Sequence, residues 1–138
     1  PELLQPRNNM NRILAAQGKW DQLVVSLRNL IQLAPGEAAN HSNLGVVLAS
    51  QGDDDAAIAY FRKAIQLDPN LADAYYNLGA ALERQAHREE AIVCYRKAVE
   101  LYPENSAGRD RVTLLLRQAE QRQQQEPPAK DEAAMKTP

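Results

Sequence analysis

Residues 51–58 read QGDDDAAI, three carboxylates placed directly after a glycine. Two chemistries ask for such a run. Hard cations take carboxylate oxygens, and a glycine can make the sharp turn that folds ligands around an ion. A helix N-terminus also favours acids, because its free N–H groups and dipole attract negative charge. The register of the chain bears on the choice. A step of 34 residues forward turns the stretch into QAHREEAI at 85–92, and a step of 34 backward turns it into QGKWDQLV at 17–24. At the place of the triplet these copies carry His87-Arg88-Glu89 and Lys19-Trp20-Asp21. A metal loop needs its own ligand spacing and more oxygen donors nearby. Capping of a helix is the preferred reading, and a weak cation site is the alternative.

Other landmarks move by the same step. Asn43-Leu44-Gly45 returns as Asn77-Leu78-Gly79, Arg62-Lys63-Ala64 as Arg96-Lys97-Ala98, and Pro35, Pro69 and Pro103 are equally spaced. Aligned without gaps, residues 38–71 and 72–105 agree at roughly 13 of 34 positions, well above chance for a repeat of this period. Residues 4–37 form a more divergent copy. Within one copy the apolar residues fall into two sets, Leu44, Val47, Leu48 and then Ala57, Ile58, Phe61, Ala64, Ile65. Spacings of three and four put each set on one helical face. Gln51-Gly52-Asp53 reads as a stop and a new cap, and Asp68-Pro69-Asn70 ends the second helix. The unit is therefore helix, turn, helix, turn. One such hairpin cannot bury its own faces, whereas stacked hairpins share a continuous core. Gly45 and Gly79, inside predicted helices, cost roughly 0.5–1 kcal/mol each relative to alanine, so close approach of a neighbouring helix is expected there.

This pattern resembles the tetratricopeptide repeat family. The second copy supplies His41, Leu44, Gly45, Leu48, Ala57, Phe61, Ala64 and Pro69 at the family's landmark positions, and the third supplies Tyr75, Leu78, Gly79, Leu82, Ala91, Tyr95, Ala98 and Pro103. The first has Arg7, Met10, Asn11, Leu14, Leu23, Leu27, Leu30 and Pro35, of which only the later half fits well. Its inner helix is expected to pack less tightly. The resemblance implies an all-α, right-handed superhelical α-solenoid of three helix hairpins, at 4–37, 38–71 and 72–105. Residues 106–121, with Val112, Leu115, Leu116 and Ala119 on one stripe, read as a C-terminal capping helix with a polar outer face. Residues 122–138 are polar and proline-bearing, and read as a disordered tail.

Composition narrows the function. A net charge of −2 predicts no strong pull toward nucleic acid or anionic membrane. The longest apolar runs are short, such as Val46-Val47-Leu48-Ala49, against the roughly 20 residues of a membrane span. Cys94 is the single cysteine, so an internal disulfide is ruled out and nothing argues for an oxidising compartment. A soluble, intracellular protein is the expectation. The chain starts at proline, and an upstream anchor or targeting segment would not be visible in it. Cys94 reads as a packing residue, as does His41. Trp20 reads as packing for the first hairpin, or as a contact residue at an exposed end. His41 and His87 lack spaced metal-binding partners. No Ser-His-Asp set, glycine-rich phosphate loop or pair of catalytic acids stands at plausible positions. No enzyme, no metal and no cofactor are expected.

The resemblance also places a binding surface. In the family the first helix of each repeat lines a groove, which here gives Gln5, Asn8, Asn9 and Arg12; Ala39, Ser42, Asn43, Val46 and Ala49; Asp73, Tyr76, Asn77, Ala80 and Glu83; and Asp110, Arg111, Leu114 and Arg117 from the cap. Asn9, Asn43 and Asn77 recur once per repeat. A carboxamide carries donor and acceptor together and can pair with an extended backbone. The row is similar to the asparagine ladder of O-linked N-acetylglucosamine transferases; the plainer reading is a groove solvated by asparagine. The carboxylate clamp of chaperone-binding members fits only at Asn43, since Asn8, Arg12, Asp73 and Asn77 stand at its other places, and Asp73 would repel a carboxylate. The expectation is a scaffold that binds an extended or helical segment of a partner protein, not an Hsp70 or Hsp90 tail. Tyr76 and Leu114 would be its apolar anchors. The rival readings are a recognition module of a longer enzyme, a module of a membrane-anchored assembly factor (a photosystem assembly factor, for example), and a self-associating repeat domain.

Overall fold

The computed structural model describes residues 5–126. Among them run seven helices and no strand: α1 (Gln5–Ala16), α2 (Trp20–Leu33), α3 (Ala38–Ser50), α4 (Asp54–Leu67), α5 (Ala72–Arg84), α6 (Arg88–Leu101) and α7 (Ala107–Gln125). Each helix packs against the next, and α3 also touches α5. The result is an all-α solenoid. The residues of the proposed tail from 127 onward, and the side chains of Gln5 and Asn8, lie outside the described residues.

The turns inside the helix pairs share one geometry. At the end of α3 the Gly52 N–H donates to the Ala49 carbonyl at 3.0 Å and the Asp53 N–H reaches back to Leu48 at 2.9 Å. Gly18 and Lys19 repeat both bonds to Ala15 and Leu14, and Ala86 and His87 repeat them to Glu83 and Leu82. This pair of reversed bonds satisfies the last carbonyls of a helix and places one residue in the left-handed region. Gly18 (φ 67°) and Gly52 (φ 86°) suit that region; Ala86 (φ 63°) occupies it with a Cβ.

Asp53 then opens α4. Its Oδ1 accepts the Ala56 N–H at 3.1 Å, the side-chain cap that the sequence predicts. Asp54 and Asp55 face the end of α5. Asp54 accepts from Arg84 Nε at 3.1 Å and Nη2 at 2.6 Å, and Asp55 Oδ1 accepts from Gln85 Nε2 at 2.6 Å. The triplet thus begins one helix and ties the turn after α3 to the turn after α5.

The helix pairs close over glycine. A Cβ built on Gly45 would stand 2.6 Å from the Phe61 ring, and one on Gly79 would stand 2.7 Å from the Tyr95 ring. Both rings are only 1% exposed. Around them a continuous core includes Leu23, Leu27 and Leu30 of α2, Leu44, Val47 and Leu48 of α3, and Leu78 and Leu82 of α5. Val112 and Ala119 of α7 join it, with Leu115 and Leu116 partly buried against it.

One boundary differs from the sequence reading. The capping helix does not stop at residue 121 but continues to Gln125, so 122–125 are helical rather than part of a tail. Its apolar stripe does end near Ala119. The last turn is held by charge instead: Arg122 pairs with Glu83 of α5, and Arg88 of α6 pairs with Glu126. The bond from Arg88 holds the Glu126 carboxyl below its usual pKa.

Two substitutions test these contacts. Ala86→Gly relieves a left-handed alanine, a strain of about 1–2 kcal/mol, partly offset by glycine's freedom when unfolded. A gain of about 0.5–1 kcal/mol in urea unfolding is expected. Gly45→Ala sets roughly 0.5–1 kcal/mol of helix propensity against about 1–3 kcal/mol of overpacking on a buried ring. A net loss is expected in the same measurement.

Candidate peptide-binding groove

The first helices of the repeats, α3 and α5, lie beside α7, and the space between them is a cavity of about 550 Å³. Its wall includes Asn43 and Val46 from α3, Asp73, Tyr76 and Asn77 from α5, and Arg111 from α7. Asn43 and Asn77 occupy the same register on successive inner helices, so their carboxamides face one space. Arg111 is exposed and makes no ion pair with a described residue. Asp73 is already engaged, because the Tyr102 hydroxyl donates to its Oδ1. Burial, and then this bond to a carboxylate, push the Tyr102 pKa up.

A second cavity of about 680 Å³ lies between α1 and α3, over α2. Arg12, Asn43 and Val46 line it, and Ala39, Asn43 and Val46 are common to both cavities. The two spaces therefore meet at the α3 surface. Trp20, which is 40% exposed, forms part of the second wall.

Eight of the eighteen groove residues read from the sequence come together in the first cavity: Ala39, Ser42, Asn43, Val46, Asp73, Tyr76, Asn77 and Arg111. Arg12 stands at the second. Asn9 on α1 and Leu114 on α7 are exposed and line neither. Glu83 also lines neither. Its carboxylate accepts the Tyr95 hydroxyl at 2.9 Å and pairs with Arg122, which makes it a strut between α5, α6 and α7. Tyr102 was not among the groove residues read from the sequence. The signal for it is weak: a tyrosine before Pro103 where the preceding copy has Asp68 before Pro69.

The remaining reactive groups are structural. His41 is buried, with Nε2 3.0 Å from the Pro35 carbonyl oxygen and its ring centroid 6.1 Å from that of Tyr60. Cys94 is half-buried, and desolvation, with a smaller push from Glu90, raises its thiol to about 11. Among the described residues no group of three or more His, Cys, Asp or Glu side chains is placed to hold a metal ion. No described helix is long and apolar enough to cross a membrane.

Comparison with known proteins agrees with the fold. Residues 47–85 match the family model described as TPR repeat, and residues 72–105 match the one described as Tetratricopeptide repeat. Residues 47–105 of the chain thus carry tetratricopeptide repeats. None of the curated proteins compared matches it. Among solved structures, it is similar to the TPR2B domain of yeast Sti1 in complex with an Hsp70 peptide (TM-score 0.79, 24% identity, 86% of this chain and 96% of that one). It is also similar to the Yersinia enterocolitica type III secretion chaperone SycD in complex with a peptide of the translocator YopD (TM-score 0.82, 17% identity, 89% and 96%). A third is a type III secretion complex from Aeromonas hydrophila (TM-score 0.84, 19% identity, 91% and 86%). At these identities the likeness is one of fold.

The raised thiol gives a direct check. With a pKa near 11, only about 0.1% of Cys94 is thiolate at pH 8, against roughly a quarter for a free cysteine. Labelling of the native protein by Ellman's reagent at pH 8 is expected to be on the order of a hundredfold slower than after unfolding in urea.

Proposed function

We propose that this chain is a non-catalytic scaffold, and that the groove between α3, α5 and α7 binds an extended segment of another protein. The observation that carries the reading is the pair Asn43 and Asn77, one per repeat, on the wall of a single cavity. Each carboxamide offers both a donor and an acceptor to a peptide backbone. Such pairing is largely indifferent to side chains, so it holds an extended segment without fixing its sequence. Tyr76 beside them supplies a flat apolar surface with a polar end. Peptide complexes of the similar yeast and Yersinia proteins support the same use of the fold.

The ligand differs from an Hsp70 or Hsp90 tail in this reading. Holding a terminal carboxylate takes converging cations. Here an acid, Asp73, stands in the groove, and the cations Arg12 and Arg111 line separate cavities. No nucleic acid partner is proposed, because the charge of −2 gives no electrostatic basis for one.

A displayed library of random twelve-residue peptides tests the proposal. Wild type should enrich a set of binders. Asn43→Ala combined with Asn77→Ala should weaken them about tenfold, in line with two lost hydrogen bonds of roughly 0.5–1.5 kcal/mol each, with helicity and melting unchanged. Binders that survive both substitutions at full strength would remove the carboxamides from the mechanism.

A further inference from the structure

The second cavity departs from the repeat pattern, and its origin is visible in the residues. In the later copies a glycine on the first helix accepts the ring of an aromatic on the second, Gly45 with Phe61 and Gly79 with Tyr95. The first copy has Asn11 and Leu27 at those places. Asn11 keeps a side chain at the crossing, held by the Ser26 hydroxyl, which donates to its Oδ1 at 2.6 Å. The branched Leu27 replaces a flat ring. Close seating of α1 over α2 is lost, and a slot opens between α1 and α3 whose floor reaches the core at Leu23, Leu27, Leu30 and Val47.

We infer that this slot takes one bulky apolar side chain, of leucine, methionine, phenylalanine or tryptophan, projected by the segment that lies in the groove. The inference rests on the groove reading above. Continuity supports it, because Ala39, Asn43 and Val46 belong to both spaces. A backbone held at Asn43 therefore passes the mouth of the slot. Size permits it: about 680 Å³ admits a bulky side chain together with part of the backbone that carries it. Chemistry excludes the alternatives. The rim carries one charge of each sign, Arg12 and Glu37, so neither sign of ligand is selected. A charged side chain would lose its hydration over a leucine floor, while an apolar one gains about 25 cal/mol for each Å² removed from water. Such an anchor is the kind of contact that dominates peptide affinity.

The same displayed library separates this inference from the groove reading. Sequencing of the wild-type binders should give a bulky apolar residue at one fixed position. Ala15→Phe fills the slot from α1 and Ser50→Phe fills it from α3. Each variant, checked for wild-type helicity, should bind the enriched peptides at least about tenfold more weakly. Binders that need Asn43 and Asn77 but share no apolar position, or that bind the filled variants normally, would overturn the slot and leave the groove standing. A library from which wild type enriches nothing would overturn both.

Discussion

The seating of an aromatic ring on a glycine sets the distance between paired helices, and much else follows from that distance. Phe61 and Tyr95 are large, flat and almost fully buried, and Gly45 and Gly79 leave the space they fill. Glycine within a helix is unfavourable by itself; ring burial of the order of 1.5–3 kcal/mol more than offsets it. With the pairs fixed, their leucines meet in one core rather than in separate patches. The inner helices are then carried at the spacing that brings Asn43 and Asn77 to one cavity. The same device recurs outside the repeat register, where a Cβ on Gly108 would meet the Tyr102 ring at 2.8 Å. There it seats α7 on the end of α6 and holds Tyr102 where its hydroxyl reaches Asp73.

A second layer of contacts runs between neighbouring units and is made of charge. Asp54 with Arg84, Arg62 with Glu90, Arg96 with Glu120, and Arg122 with Glu83 each join helices of different pairs or the cap. Most of these groups are well exposed, and a pair of that kind contributes about 0–1 kcal/mol. They set register more than stability. The Tyr95 hydroxyl links the two layers, since its ring fills the glycine site while its oxygen donates to Glu83.

Much of the fold was legible because the repeat states it more than once. Period, helix faces, the close helix approach at Gly45 and Gly79 and the Asp53 cap all came from spacing and residue type. What spacing could not supply was the partner of each polar group. Glu83 stands in the register of the groove, yet its carboxylate turns to Tyr95 and Arg122. Tyr102 stands outside that register and still lines the cavity. The end of α7 was misjudged for the same reason, because its last turn depends on Arg122 and Glu126 finding partners 39 and 38 residues away in sequence. Met10 shows the limit of the apolar stripe. It holds the place of the buried Leu44 and Leu78 but is 52% exposed, since α1 packs chiefly on α2 whereas α3 is held between α2 and α4.

The divergence of the first copy has one cause with two effects. Replacing glycine and ring by Asn11 and Leu27 weakens the α1–α2 pair, and the same loss of fit leaves open space beside α3. In a repeat whose purpose was only to close the stack, a polar residue at that crossing would be a cost with no return. Its position gives it another meaning. The slot adjoins the groove at Asn43, and its floor of Leu23, Leu27 and Leu30 extends the apolar surface that Val46 and Tyr76 give the groove cavity. In the proposed reading, carboxamides give binding without sequence preference, and an apolar slot gives preference at one position. A short array of repeats gains selectivity most directly by combining the two, and here both depend on where the glycine–aromatic contact is kept and where it is given up.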